Sequence, residues 1–211
     1  MLNLKGKTVV VIGGGKVASR KVEDLVKTGA LINIVSPVFS ERINKLAKVN
    51  SNNIKLIKRN YKKEDLDSSS LVFSTSSDPE TNRVIHEHCA EKNILLNAAD
   101  DPENCSFYLP SCFKKDDLIV AVSTTGASPA FASKLRKDIE SSIPDSISLK
   151  LKALKEARKL LKNDPEFSDY DSSMRGNLLK TNVNDDDLLH ELIQKYQKNE
   201  LKEFLISMAT L

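Results

Sequence analysis

Apolar positions in the first half of the chain follow two alternating rhythms. Residues 7–12 (Lys-Thr-Val-Val-Val-Ile) form a nearly continuous β-branched run, as in a strand buried on both faces of a parallel sheet. Val17, Ala18, Val22, Leu25 and Val26 then recur at helical spacing, and Gly29 supplies a stop. The cycle repeats. Leu31–Val35 reads as a second strand ended by Ser36-Pro37, followed by a helical stripe of Phe39, Ile43, Leu46 and Ala47. Ile54–Ile57 and Leu71–Ser74 are the third and fourth strands. Residues 81–90 form a helix with Val84, Ile85 and Cys89 inward, and residues 94–96 a fifth strand ending at Asn97. Strand–helix alternation with short links predicts an α/β fold, a Rossmann doubly wound parallel sheet. Right-handed crossovers put helices on both its faces.

Beyond residue 105 the pattern changes. Residues 107–109 and Leu118–Val122 read as short strands around a polar Lys114-Lys115-Asp116-Asp117 turn, a hairpin-like addition. Ser128 caps a helix whose first residue is Pro129, with Phe131, Leu135 and Ile139 as its stripe and Pro144 as its end. Ile147, Leu151, Leu154, Ala157 and Leu161 mark a further helix broken at Asp164-Pro165. Leu188, Leu189, Leu192, Ile193 and Tyr196 mark another, opened by Asp185-Asp186-Asp187 as suits a helix N-terminus, and Leu201, Phe204, Leu205 and Met208 a last one. The expected division is a Rossmann domain over 1–105, a small α+β segment over 106–144 and an all-helical region over 145–211. The stripes from residue 128 onward serve equally as internal core or as a dimer interface.

Composition narrows the function classes. With 40% hydrophobic and 29% charged residues the 211-residue chain is ordinarily globular rather than disordered. Thirty-two basic residues against 29 acidic ones leave a net charge of +3, too even for a nucleic-acid binder. No apolar run approaches the ~20 residues that span a bilayer. Lys5 and Lys7 interrupt any signal-peptide core, so the cytoplasm is the expected compartment. Cys89, Cys105 and Cys112 lack CxxC spacing and read as reduced thiols. His86, His88 and Cys89 are the nearest approach to a metal set, but only 86 and 89 share a helix face. No metal site is expected.

The chemistry begins at Gly13-Gly14-Gly15-Lys16-Val17-Ala18, a G-x-G-x-x-A loop directly after a strand and opening a helix. The first glycine permits the tight turn, Gly15 lets the backbone approach a pyrophosphate, and Ala18 lets helix and strand pack closely. Negative charge is then favoured at the helix N-terminus. The expected ligand is NAD. Its contacts are Gly13, Gly14, Gly15, Lys16 and Val17, then Ser36, Pro37 and Val38 after the second strand, and Thr75 and Ser76 after the fourth. The acidic residue that usually ends the second strand is replaced by Ser36-Pro37, and the nearest arginine is Arg42. NAD is preferred over NADP on that basis.

Three further segments complete a pattern. Gly13 to Lys21, then Asn97-Ala-Ala-Asp-Asp-Pro102 leading into Phe107-Tyr-Leu-Pro-Ser111, then Ala121-Val-Ser-Thr-Thr-Gly-Ala-Ser-Pro129 occur in one order and spacing. Together they resemble the precorrin-2 dehydrogenase family, the NAD-dependent module of sirohaem synthases, over residues 1 to about 145. The resemblance implies oxidation of precorrin-2, a tetrapyrrole, to sirohydrochlorin on the route to sirohaem. It also implies a homodimer built through the segment after the Rossmann domain. Some members of the family insert ferrous iron as well. No methyltransferase domain follows, as in the family's stand-alone form. The family's essential aspartate falls on Asp100, with Asp101 left to turn chemistry. Ser123, Thr124, Thr125, Gly126 and Ser128, a hydroxyl-rich segment before a helix, are expected to receive substrate carboxylates. A different class, an NAD-binding redox-sensing regulatory module, shares the glycine loop but gives no reason for the segments at 97–102 and 123–129. A chelatase that has lost hydride chemistry would not need the loop.

Overall fold

The structure, a computed structural model, describes residues 1–99 and 101–209, for Ala209 the backbone only. It divides the chain once, into units Met1–Leu109 and Pro110–Leu211.

In the first unit, strands β1 (Thr8–Ile12), β2 (Leu31–Val35), β3 (Ile54–Ile57), β4 (Leu71–Ser74) and β5 (Leu95–Ala98) form a parallel sheet in the order β3-β2-β1-β4-β5. Helices α1 (Lys16–Val26), α2 (Glu41–Val49) and α3 (Pro79–Glu91) make the crossovers. The valine run of β1 is central because both its faces are covered. Val9 and Val11 pack with Ala18, Val22 and Leu25 of α1 and Ile43 of α2. Val10 and Ile12 pack on the other face with Leu66 and with Ile85 and Cys89 of α3. Each such fully buried side chain is worth about 1.5–3 kcal/mol. The chain order reverses direction between β1 and β4, so a crevice opens beyond their C-terminal ends, where open α/β sheets hold ligands.

The second unit opens with an antiparallel pair, β6 (Ser111–Lys115) and β7 (Leu118–Val122). Helix α4 (Pro129–Ser142) packs on it, capped by Ser128, whose hydroxyl accepts from Phe131 N at 3.2 Å. Helices α5 (Ile147–Asn163), α6 (Ser172–Asn184), α7 (Asp186–Gln197) and α8 (Leu201–Ala209) follow. Their core joins Ala153, Ala157 and Leu161 of α5 to Phe167, Leu192, Leu201, Phe204 and Leu205.

Two expectations are corrected. Residues 107–109 are not a strand. Phe107 turns back onto the first sheet, edge-on to Phe73 with ring centroids 5.8 Å apart, and its carbonyl accepts from Asn97 Nδ2 at 3.0 Å. The hairpin strand is Ser111–Lys115, so Lys114 and Lys115 belong to it, and Asp116 turns the chain at φ +51°, which Asp tolerates. Helix α6 lies within the region expected to be helical, although no apolar stripe marks it in the sequence. Its apolar residues are sparse, and Asn182 stands fully buried on it. Leu96, 1% exposed between β4 and α3, provides a test of the core: Leu96→Ala lowers unfolding stability by about 2–5 kcal/mol. Urea denaturation with an unchanged slope checks it.

Candidate functional site

A cleft of ≈ 870 Å³ lies over the C-terminal ends of β1, β2 and β4. Its floor is the glycine loop, in which each glycine answers a different constraint. Gly13 has φ +113°, and a Cβ there would stand 2.4 Å from Thr75 Oγ1. A Cβ on Gly14 would stand 2.0 Å from the Val38 carbonyl oxygen. Around Gly15 a Cβ would meet nothing within 4 Å, so this backbone faces open space.

Neighbouring segments hold the loop by its own polar groups. Gly13 N donates to Val35 O at 2.9 Å, and Ser40 N donates to Gly14 O at 2.8 Å. Ser19, buried on α1, donates its hydroxyl to Gly15 O at 2.9 Å and lies 3.0 Å from Ser40 Oγ. Thr75 donates both its N–H and its hydroxyl to Ile12 O, at 2.8 and 2.9 Å. Helix α1 itself starts with Gly15 as N-cap, with no side-chain cap and no acidic residue in its first turn. Its leading N–H groups and positive dipole end are therefore left for an anion.

All ten residues expected at the cofactor line this cleft: Gly13, Gly14, Gly15, Lys16, Val17, Ser36, Pro37, Val38, Thr75 and Ser76. The fit to a dinucleotide is good on three counts: an open glycine backbone at an uncapped helix N-terminus, ample volume, and Lys16 as a lining cation. Sequence reasoning missed Asn60 and Tyr61 after β3, and Asp78, Glu80, Thr81 and Val84 at the start of α3, which also line the cleft. The Tyr61 hydroxyl lies 2.9 Å from His88 Nδ1, and burial raises the Tyr61 phenol above its ordinary pKa. Asp78 caps α3, accepting from Thr81 N at 3.0 Å, and the Thr81 hydroxyl and N–H hold its carboxyl below the usual range. Lys21 of α1 stands 5.6 Å over the Phe73 ring, where burial lowers its pKa, and Arg136 of α4 pairs with Glu140.

At the end of β5 the chain is tied on both sides of position 100. Ala99 N donates to Ser74 O at 2.9 Å. Cys105 Sγ lies 3.2 Å from Ala98 N and 3.3 Å from Asp101 O. Asp101 accepts from Asn104 Nδ2 at 2.6 Å, the turn chemistry anticipated for it. Asp100 itself lies outside the described residues. Among those described, no group of three His, Cys, Asp or Glu side chains is placed to hold a metal ion.

Within the second unit, the segment at 123–128 folds back on itself between β7 and α4. Thr124 Oγ1 accepts from Ser128 N at 3.1 Å, Ser123 Oγ accepts from Thr125 N at 3.1 Å, and Thr125 and Gly126 take φ +51° and +91°. The hydroxyls thus already organise the helix entry, with Ser128 committed to the cap.

Comparison with known proteins agrees with this geometry. The model of a family described as putative NAD(P)-binding matches residues 1–111, and that of the central region of a sirohaem biosynthesis protein matches residues 115–142. A solved precorrin-2 dehydrogenase, SirC, superposes with a TM-score of 0.74 at 26% identity, over 100% of this chain and 98% of that one. The chain belongs to this NAD(P)-binding family. Its cofactor is accordingly a nicotinamide dinucleotide. Curated relatives include the sirohaem synthases of Thioalkalivibrio sulfidiphilus, 38% identical over 75% of this chain, and of Pseudoalteromonas atlantica, 36% identical over 70%. This family member spans about a third of those relatives' length, 32% of each.

The glycine geometry makes a paired prediction. Gly14→Ala forces the β2 turn off the loop and lowers the melting temperature as well as dinucleotide affinity. Gly15→Ala leaves the melting temperature in place and weakens NAD binding by about tenfold or more, because the added methyl occupies the anion's space. Thermal shift and calorimetric titration of both variants distinguish the two effects.

Proposed function

We propose that the chain is a precorrin-2 dehydrogenase that uses NAD to form sirohydrochlorin on the way to sirohaem. The observation that carries this reading is the match to a precorrin-2 dehydrogenase over essentially the full length of both chains, with the glycine loop kept open for a dinucleotide. NAD, when bound, supplies the acceptor for a hydride. The substrate must lose a proton along with that hydride, and Asp100, which follows β5 in the sequence, is the base that takes it. Gly13, Gly14, Gly15, Lys16 and Val17 bind the pyrophosphate. Ser36, Pro37 and Val38 bound the adenosine end, and Thr75 and Ser76 fix the opposite wall. Ser123, Thr124, Thr125, Gly126 and Ser128 receive carboxylates of the tetrapyrrole through hydroxyl and backbone donors at the start of α4.

The protein works as a cytoplasmic homodimer. Residues 106–144 form the dimer contact and 145–211 a helical domain of its own. Ile119 of β7 and Phe131 and Leu135 of α4 support the dimer, since these large apolar side chains are exposed, Phe131 by 56%. No helix among the described residues is long and apolar enough to cross a membrane.

Following NADH absorbance with enzymatically made precorrin-2 tests the reaction. Wild type is expected to produce NADH and sirohydrochlorin in equal amounts. Asp100→Ala binds NAD with affinity kept within about threefold but loses about 10²- to 10⁴-fold in turnover, as for removal of a general base. Wild type that binds NAD and never oxidises precorrin-2 would sink the reading. Light scattering addresses the assembly: the double variant Phe131→Glu, Leu135→Glu runs as a monomer where wild type runs as a dimer.

A further inference from the structure

Rossmann domains distinguish NAD from NADP at the end of the second strand, by a carboxylate for the ribose hydroxyls or an arginine for the 2′-phosphate. Here that turn offers neither. The Ser36 hydroxyl donates to Val38 O at 2.7 Å, and Val38 is an exposed apolar side chain. Two arginines flank the region. Arg42 lies in the first turn of α2, and Arg59 directly precedes Asn60, a residue of the cleft wall. Each is engaged by a carboxylate on two of its nitrogens.

The two pairs hold very differently. Arg42 meets Glu23 of α1 through Nε and Nη2, with the side chains 61% and 29% exposed, a solvated pair that exchanges easily. Arg59 donates Nη1 to Asp65 Oδ2 at 2.8 Å and Nη2 to Asp65 Oδ1 at 2.5 Å, and Nη1 also reaches Asn60 O at 3.0 Å. The Asp65 side chain is only 5% exposed, and its Oδ2 also accepts from Lys62 N at 2.9 Å. Withdrawing Arg59 would leave a nearly buried carboxylate unpaired, which is strongly unfavourable. The cleft lining also includes Asp78 and Glu80, which disfavour an additional dianion.

We propose that Asp65 is a specificity-determining residue for the dinucleotide: by locking Arg59 in a bidentate pair it withholds that guanidinium from a 2′-phosphate, so the cleft selects NAD. This rests on the reading of the cleft as a dinucleotide site and deepens it. The fork geometry matters, because a guanidinium spent on one planar acid has little left for another.

Calorimetric titration of NAD and NADP into the full chain tests it, independently of turnover. Wild type binds NAD at least about tenfold tighter than NADP. Asp65→Asn tightens NADP by about tenfold while NAD moves by less than about threefold, and adding Arg59→Gln to it removes the gain. Arg59→Lys keeps the charge without the fork and is the folding-tolerant version; it tightens NADP by about threefold or more. Wild type that binds neither dinucleotide removes the underlying cleft reading. Wild type that binds both equally overturns the Asp65 assignment while leaving the cleft reading intact. A folded Asp65→Asn or Arg59→Lys with NADP binding unchanged also overturns it. So does Glu23→Gln if that surface change produces the tenfold gain instead.

Discussion

At the end of β1 three chain segments converge so closely that no side chain fits between them. Gly13 meets the segment after β4 at Thr75, Gly14 meets the turn after β2 at Val38, and only Gly15 faces open space. This convergence sets the walls of the cleft at the point where strand order reverses. It also leaves the N-terminus of α1 without a side-chain cap among the described residues. The packing that builds the sheet and the electrostatics that draw a pyrophosphate are thus consequences of one local geometry. Ser19, Ser40 and Thr75 reinforce it by taking up the carbonyls of the loop and of the strand before it, while Val35 O takes the Gly13 N–H.

Much of this was legible in the sequence because the signals were local. β2, β3 and β4 were located to the residue, since short β-branched runs bounded by Gly, Ser, Pro or Asn admit few alternatives. The glycine loop and the β2 turn were legible for the same reason, as each lies within a few residues of a strand end. Asn60, Tyr61 and Thr81 were not. They reach the cleft because β3 and β4 flank β2 and β1, a juxtaposition that comes from topology rather than spacing. Residues 107–109 misled because an alternating aromatic-apolar triplet reads as a strand, whereas Phe107 is drawn onto Phe73 and Asn97. Helix α6 lacked an amphipathic stripe to announce it, and it is held by its Asp171 cap and by Leu178 and Leu179 in the helical core.

The chain also illustrates how a missing motif residue can be as informative as a present one. The absent acid at the end of β2 leaves ribose recognition to a turn whose serine hydroxyl is already bonded within it. Charge around the cleft is then governed by ion pairs formed elsewhere, of which the buried carboxylate of Asp65 is the firmest. Burial opposes ionisation of that carboxyl, yet the Arg59 guanidinium and the Lys62 N–H outweigh it and hold its pKa below the ordinary value. A carboxyl depressed in the folded state adds stability at neutral pH, which is lost as pH falls through that lowered value.

Amide chemical shifts followed by NMR during titration with NAD test the central geometry most directly. The account predicts the largest changes at Gly14, Gly15, Lys16 and Val17, with smaller ones at Ser36 and Val38, and none along α7 and α8. Saturable binding that leaves the amides from Gly14 to Val17 unmoved would contradict it.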